Sequence, residues 1–252
     1  MANQSEKVIA RDREHLRKLV YESIQKYGPN CDLNFIDVFY VDDMDGLFAG
    51  ANSVFNGDIS EWNVSNVETM RDMFHGSQFN GDISGWDVSN VCFMDGMFQN
   101  SVFDGDISNW DVSNVSSMAF MFQDSKFNGD ISRWDVSSVA MMYGMFAHSR
   151  FNGDISQWNV FGVADMTDMF VYSQFMGDVS GWEVTDDVCA GMFYGSLLEL
   201  KGLLPEWYKA IEEKQRLENG CLEKERLEIE ENSVKEEEFN RSDDGELENL
   251  SF

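Results

Sequence analysis

One sequence element recurs every 24 residues and limits the fold more than any other property of the chain. Phenylalanine stands at Phe55, Phe79, Phe103, Phe127, Phe151 and Phe175, and tryptophan follows at Trp62, Trp86, Trp110, Trp134, Trp158 and Trp182. Between them runs a glycine column, Gly57, Gly81, Gly105, Gly129, Gly153 and Gly177, each glycine followed by aspartate. A degenerate earlier turn from Asp32 to Phe48 fits the same frame, with Ile36 in the tryptophan place and two extra residues before Phe55. The last turn is one residue short between Trp182 and Phe193. Atypical end turns are expected of a stacked array, because they face a cap rather than another turn.

Within one turn two periodicities follow each other. In Ile59-Ser60-Glu61-Trp62-Asn63-Val64 the tryptophan and valine alternate with polar neighbours, which predicts a short strand. Val67, Met70, Met73 and Phe74 then fall on one helical face, with Ser65 or Asn66 placed to cap its start. The pattern therefore predicts an α/β repeat solenoid, one short strand plus one short helical segment per 24-residue turn. At about 4.8 Å per strand, seven turns would stack to roughly 30–35 Å. The methionine columns through Met70 and Met73 are expected in the core as adaptable filler, and the tryptophans as a buried stack. Each Asn-Gly-Asp is expected to turn on a left-handed glycine, with the aspartate accepting backbone N–H groups. A cation ladder is the alternative for Asp58, Asp82, Asp106, Asp130, Asp154 and Asp178. Calcium rolls repeat at roughly nine residues, and a hard cation needs about six to eight oxygens.

Charge and composition divide the rest. Residues 1–30 hold four acidic against six basic residues and contain an amphipathic segment, Ile9 to Tyr27, stopped by Gly28-Pro29. This stretch is expected to be an N-terminal capping helix. Residues 31–195 carry 25 acidic against 4 basic residues, so the array itself is acidic. A C-terminal capping helix is expected over 196–220, where Pro205 opens a run of good helix formers. An acidic helical or disordered tail is expected over 221–252.

The formal net charge of −28 argues against nucleic acid or an anionic membrane surface as partner. No stretch is long and apolar enough to insert into a membrane, and the first residues carry no apolar signal region. Cys31, Cys92, Cys189 and Cys221 lack ligand spacing and read as free thiols. His15, His75 and His148 occupy unrelated frame positions, and no nucleophile–base pair follows from them. The expectation is a protein that is not an enzyme, uses no cofactor and binds no metal.

The frame Ile-x-x-Trp-x-Val-x-x-Val-x-x-Met-x-x-Met-Phe resembles the leucine-rich repeat, with Ile59, Trp62 and Val64 in the leucine places. More narrowly, Trp-Asp-Val-Ser-Asn-Val followed by Phe-Asn-Gly-Asp-Ile-Ser is similar to the BspA-like leucine-rich repeat family of bacteria, a group of unknown function whose members are often surface proteins. The resemblance covers about 31–195. It implies a right-handed solenoid and a binding or adhesive role.

The outward strand positions are the candidate binding face. They are Glu61, Asn109, Arg133 and Gln157 before each tryptophan, Asn63, Asp87, Asp111, Asp135, Asn159 and Glu183 after it, and Phe161 two positions further on. Two readings of these positions stand side by side, simple solvation and recognition of a polar or basic protein segment. The favoured function is a non-catalytic protein-binding repeat module. A structural or adhesive bacterial surface protein, dependent on cations, is the alternative. The location expected from the chain as given is cytoplasmic, with the cell surface or non-classical secretion as the alternative; oligomeric state is left open.

Overall fold

A computed structural model describes residues 7–185 and 187–218. The tail expected over 221–252 lies outside them. The described residues fall into two compact units, the first ending at Pro205 and the second starting at Glu206.

The first unit opens with strand β1 (Val8–Ile9) and helix α1 (Arg13–Tyr27). Asp12 caps the helix by accepting the His15 N–H at 2.8 Å, and Gly28 ends it at φ 91°. Leu16, Val20 and Ile24 form its buried stripe, whereas Tyr27, on the same expected face, is exposed because it stands in the last turn. The helix lies on the first turn of the array: Arg17 donates to the Gly46 carbonyl at 3.0 Å, and Arg13 pairs with Asp43 at 3.3 Å. Strand β1 pairs in parallel with β2 (Ile36–Asp37).

From there successive turns lie one on another in parallel, bridged at Asp43, Thr69, Phe93, Ser117, Met141 and Asp165. Two phenylalanine ladders run through the core. Phe79, Phe103, Phe127, Phe151 and Phe175 stack at 6.3 Å. Phe74, Phe98, Phe122, Phe146 and Phe170 stack at 5.5–5.7 Å. The isoleucine, tryptophan, valine and methionine columns are buried with them.

The bridges do not lie where alternation placed a strand. In the turns after the first, Ile59–Val64 and its repeats are bends rather than strands, closed by Trp62 N–H bonding back to the Ile59 carbonyl at 3.1 Å. The pairing segment is instead the one whose spacing suggested a helix. There, Met70, Asp72, Phe74 and Gly76 donate to Phe93, Asp95, Met97 and Gln99 of the following turn at 2.8–2.9 Å. Met73, His75 and Ser77, between them, donate to carbonyls three residues back in their own turn. An α-helix needs consecutive N–H groups to point back along its own axis. Here every second one points across to the next turn, and left-handed residues at Asp72 (φ 54°) and Gly76 (φ 64°) produce the alternation.

Two left-handed columns therefore run along the stack. The first reads Gly46, Asp72, Gly96, Phe120, Gly144, Asp168, Gly191, alternating glycine with a larger residue. Sterics explain it: a Cβ on Gly144 would lie 2.9 Å from the Phe120 ring, and one on Gly191 2.5 Å from Asp168 Oδ1. Each side chain leans over the next turn, which must leave the space open. The Asn-Gly-Asp glycines behave differently from expectation, since none adopts a positive φ. They are glycine because a Cβ on Gly81, Gly105, Gly129 or Gly153 would meet the preceding phenylalanine ring at 2.8–2.9 Å.

Side chains complete the stacking. Each of the six repeat tryptophans, Trp62 to Trp182, donates its indole N–H to a carbonyl of the preceding turn, as Trp110 to Ile83 and Trp134 to Ile107, both at 3.1 Å. In the Asn-Gly-Asp loop, Asn56, Asn80, Asp104, Asn128 and Asn152 accept the N–H of the equivalent residue one turn on at 2.7–2.8 Å. The aspartate that follows accepts the serine N–H two residues later, as Asp82 from Ser84 at 3.0 Å and Asp130 from Ser132 at 2.9 Å. These bonds, with those from the serine hydroxyls, hold the Asp58, Asp82, Asp106, Asp130, Asp154 and Asp178 carboxyls below their usual range.

The unit ends with α2 (Leu197–Leu200), capped by Ser196. In the second unit, residues 206–218 are helical, with the exposed pair Lys209–Glu206 at 2.8 Å.

Three outcomes are expected of this architecture. Trp110→Phe removes the indole N–H from the Ile83 carbonyl and should cost about 2–3 kcal/mol in urea unfolding. Gly144→Ala should cost about 1–3 kcal/mol, and less in a Phe120→Gly background where the opposing ring is gone. The depressed carboxyls stabilise the fold fully above their unfolded value of about 3.9, and that contribution is lost as pH falls through the lower folded value. The melting temperature should hold from about pH 7 to 5 and fall below about pH 4. Asp82→Asn, Asp106→Asn and Asp130→Asn combined, which keep an acceptor oxygen, should flatten that acid limb.

Candidate binding face

All eleven candidate residues are exposed, while Ile, Trp and Val in the same segments are buried. They occupy bends rather than a strand, which changes what the columns are made of. Glu61, Asn109, Arg133 and Gln157 stand at the apex of the bend between the isoleucine and the tryptophan. The column after the tryptophan is partly committed to its own loop. Asn63, Asp87 and Asp111 each accept the N–H and the hydroxyl of the serine two residues on, with hydroxyl distances of 2.6–2.7 Å. Asp135 accepts the Ser137 N–H at 3.0 Å, and Asn159 that of Phe161 at 3.3 Å. Bonds from the serine hydroxyls and then their N–H groups hold the Asp87 and Asp135 carboxyls below the usual range. These carboxylates are therefore charged throughout the neutral range, and one oxygen of each is fixed in direction.

Two open depressions border these columns. One, about 580 Å³, is lined by Gln157, Trp158, Asn159, Phe161 and Glu183. The other, about 600 Å³, lies over Asn66, Asn90 and Asn114 with Glu68 and Cys92. There, the asparagine amides donate to Phe39, Ser65 and Ser89 carbonyls of the preceding turns at 2.7 Å.

The first turn adds residues that reading the six regular turns missed. Aligning Val38 with Val64 puts Phe35 in the column of Glu61, Phe39 in that of Ser65 and Tyr40 in that of Asn66. All three rings are exposed. The frame that puts Ile36 in the tryptophan place already marks the correspondence; the candidate face is taken from the six regular turns alone.

Arg71 lies 3.8 Å over the Phe93 ring and bonds Asp95 at 3.1 Å. Among the described residues, no group of three or more His, Cys, Asp or Glu side chains is placed to hold a metal ion. No helix among them is long and apolar enough to cross a membrane. Burial pushes up the Cys31 thiol, and Cys189 is buried.

No curated protein and no solved structure is significantly similar to the chain. One family model matches it twice, over residues 18–126 and 101–207. These overlapping matches take in the N-terminal helix from residue 18 onward, every repeat turn and the chain as far as residue 207. The chain belongs to the family described as Mycoplasma protein of unknown function, DUF285.

Proposed function

We propose that the chain is a non-catalytic protein-binding repeat module. In this reading residues 31–195 build a right-handed solenoid of the leucine-rich-repeat kind, related to the BspA-like proteins. Its outward acidic positions take a polar or basic segment of a partner protein. The observation that carries the reading is register: the eleven exposed side chains recur at fixed positions of stacked turns whose other columns are buried. A repeat array varies where packing does not dictate the residue, and such a row is a ready surface for recognition. Charge points the same way, since 25 acidic against 4 basic residues over 31–195 attract cationic segments and repel polyanions. Two overlapping family matches along one chain are in keeping with repeated units.

The variant combining Asp87→Asn, Asp111→Asn and Asp135→Asn removes three charges while keeping each acceptor for its serine. Partners captured from lysate by the full chain, identified by mass spectrometry and then purified, should bind this variant about tenfold more weakly, with the far-UV spectrum unchanged and the melting temperature lowered by the loss of the depressed Asp87 and Asp135 carboxylates. Binding indifferent both to these substitutions and to added salt would sink the reading.

A further inference from the structure

The column that holds Ser65, Ser89, Ser113, Ser137 and Thr185 departs from a small hydroxyl residue twice, and both times it carries phenylalanine. Phe39 and Phe161 follow the buried Val38 and Val160, so both sit at the same place in their turns. Five stacked turns separate them, roughly 24 Å at about 4.8 Å per turn. Neither ring stands in uniform surroundings. Phe39 is 39% exposed and meets Tyr40, 64% exposed, edge-on at 5.2 Å, with Phe35 in the adjoining column. Phe161 is 75% exposed and edges the depression over Trp158, where Gly181 leaves the space above it empty and Glu183 supplies a carboxylate.

A lone exposed ring on a protein surface calls for no explanation. Here two aromatic spots interrupt one otherwise regular column, and the stretch between them is small and negatively charged. Asp87, Asp111 and Asp135 flank the serines, with Arg133 as the cation among the candidate-face residues. An aromatic anchor at each end of a charged strip is the arrangement in which a few buried rings supply affinity and the charges set the partner.

We propose that this face seats an extended, lysine- or arginine-rich protein segment carrying a large apolar side chain at each end. Extended chain advances about 3.3 Å per residue, so the two apolar side chains stand about seven residues apart. The inference rests on the protein-binding reading above and specifies its partner's pattern. The N-terminal anchor takes one apolar side chain among Phe35, Phe39 and Tyr40. The second enters the depression beside Phe161, with a neighbouring cation over the ring or against Glu183.

The probe is a fluorescent synthetic peptide with leucines seven positions apart across a lysine–serine spacer, titrated against the full chain. Peptides with the leucines three apart, or with glutamate in place of lysine, serve as controls. The spaced basic peptide should bind at least about fivefold more tightly than either. Phe39→Ser and Phe161→Ser, each restoring the residue normal to that column and therefore the fold, should each weaken it about tenfold. Equal binding of all three peptides, no binding of the spaced peptide, or affinity unmoved by both serine substitutions would overturn the proposal. If partner binding still falls in the three-asparagine variant while the serine variants leave it unchanged, the acidic face remains the recognition surface and the two-anchor pattern is wrong.

Discussion

The array depends on an alternation of hydrogen bonds through Met-x-x-Met-Phe-x-x-Ser. One N–H crosses to the next turn and the following one closes back on its own turn. That pattern satisfies the backbone of a segment that is neither helix nor sheet, and buried backbone groups left without partners would cost as much as lost hydrogen bonds. It also requires left-handed residues four apart, at positions such as Asp72 and Gly76. Because L-residues resist that conformation, the requirement propagates into composition. Glycine alternates with aspartate or phenylalanine in one column, since each larger side chain occupies the space over the turn beside it. The alternation of Gly96, Phe120, Gly144 and Asp168 is thus a steric consequence of the ladder.

The remaining ladders hold the register. Tryptophan spans the core and donates its indole N–H to the turn behind, so a residue chosen for bulk also fixes which carbonyl it faces. The asparagine loop does the same from the outside, with each side-chain oxygen taking an N–H one turn on. A single inserted residue would break the indole, asparagine and backbone bonds together. The two-residue insertion before Phe55 is accommodated at the end turn, where Gly50–Asn52 forms a 3-10 turn and the Asn52 amide bonds the Leu47 carbonyl at 2.9 Å.

The period and the identity of the core columns were legible in the chain, because both depend on which side chains are apolar. Phe79, Trp86, Val88 and Met94 are buried as their spacing requires. The local conformation was not legible, and for a physical reason. Apolar residues three apart, as at Val67, Met70 and Met73, suit a helical face, and they suit equally a chain of turns that each bond three residues back. What separates the two is the sign of φ at Asp72, Phe120 or Asp168, and no side chain there announces it. The glycine of Asn-Gly-Asp misled in the opposite sense, since its conformation is ordinary and the phenylalanine two residues earlier demands it. On the outward face Phe161 stands out among the regular turns, whereas Phe39 lies in the degenerate first turn, whose outward positions the candidate face leaves out.

The bends that replaced the expected strands bear on how an acidic array tolerates its charge. Aspartates one turn apart raise each other's carboxyl affinity for protons, yet for Asp82 and Asp154 the serine bonds come first among the causes and the net direction is downward. Local hydrogen bonding therefore outweighs repulsion along the column, and the charge is retained rather than neutralised. A bend fixes one oxygen of the carboxylate inward and leaves the direction of the negative charge set by the backbone. Rows of carboxylates held in this way lose little freedom when a cation arrives, which lowers the entropic cost of recognition. The geometry that makes Asp87 and Asp135 structural is thus also what would preorganise them as a binding surface.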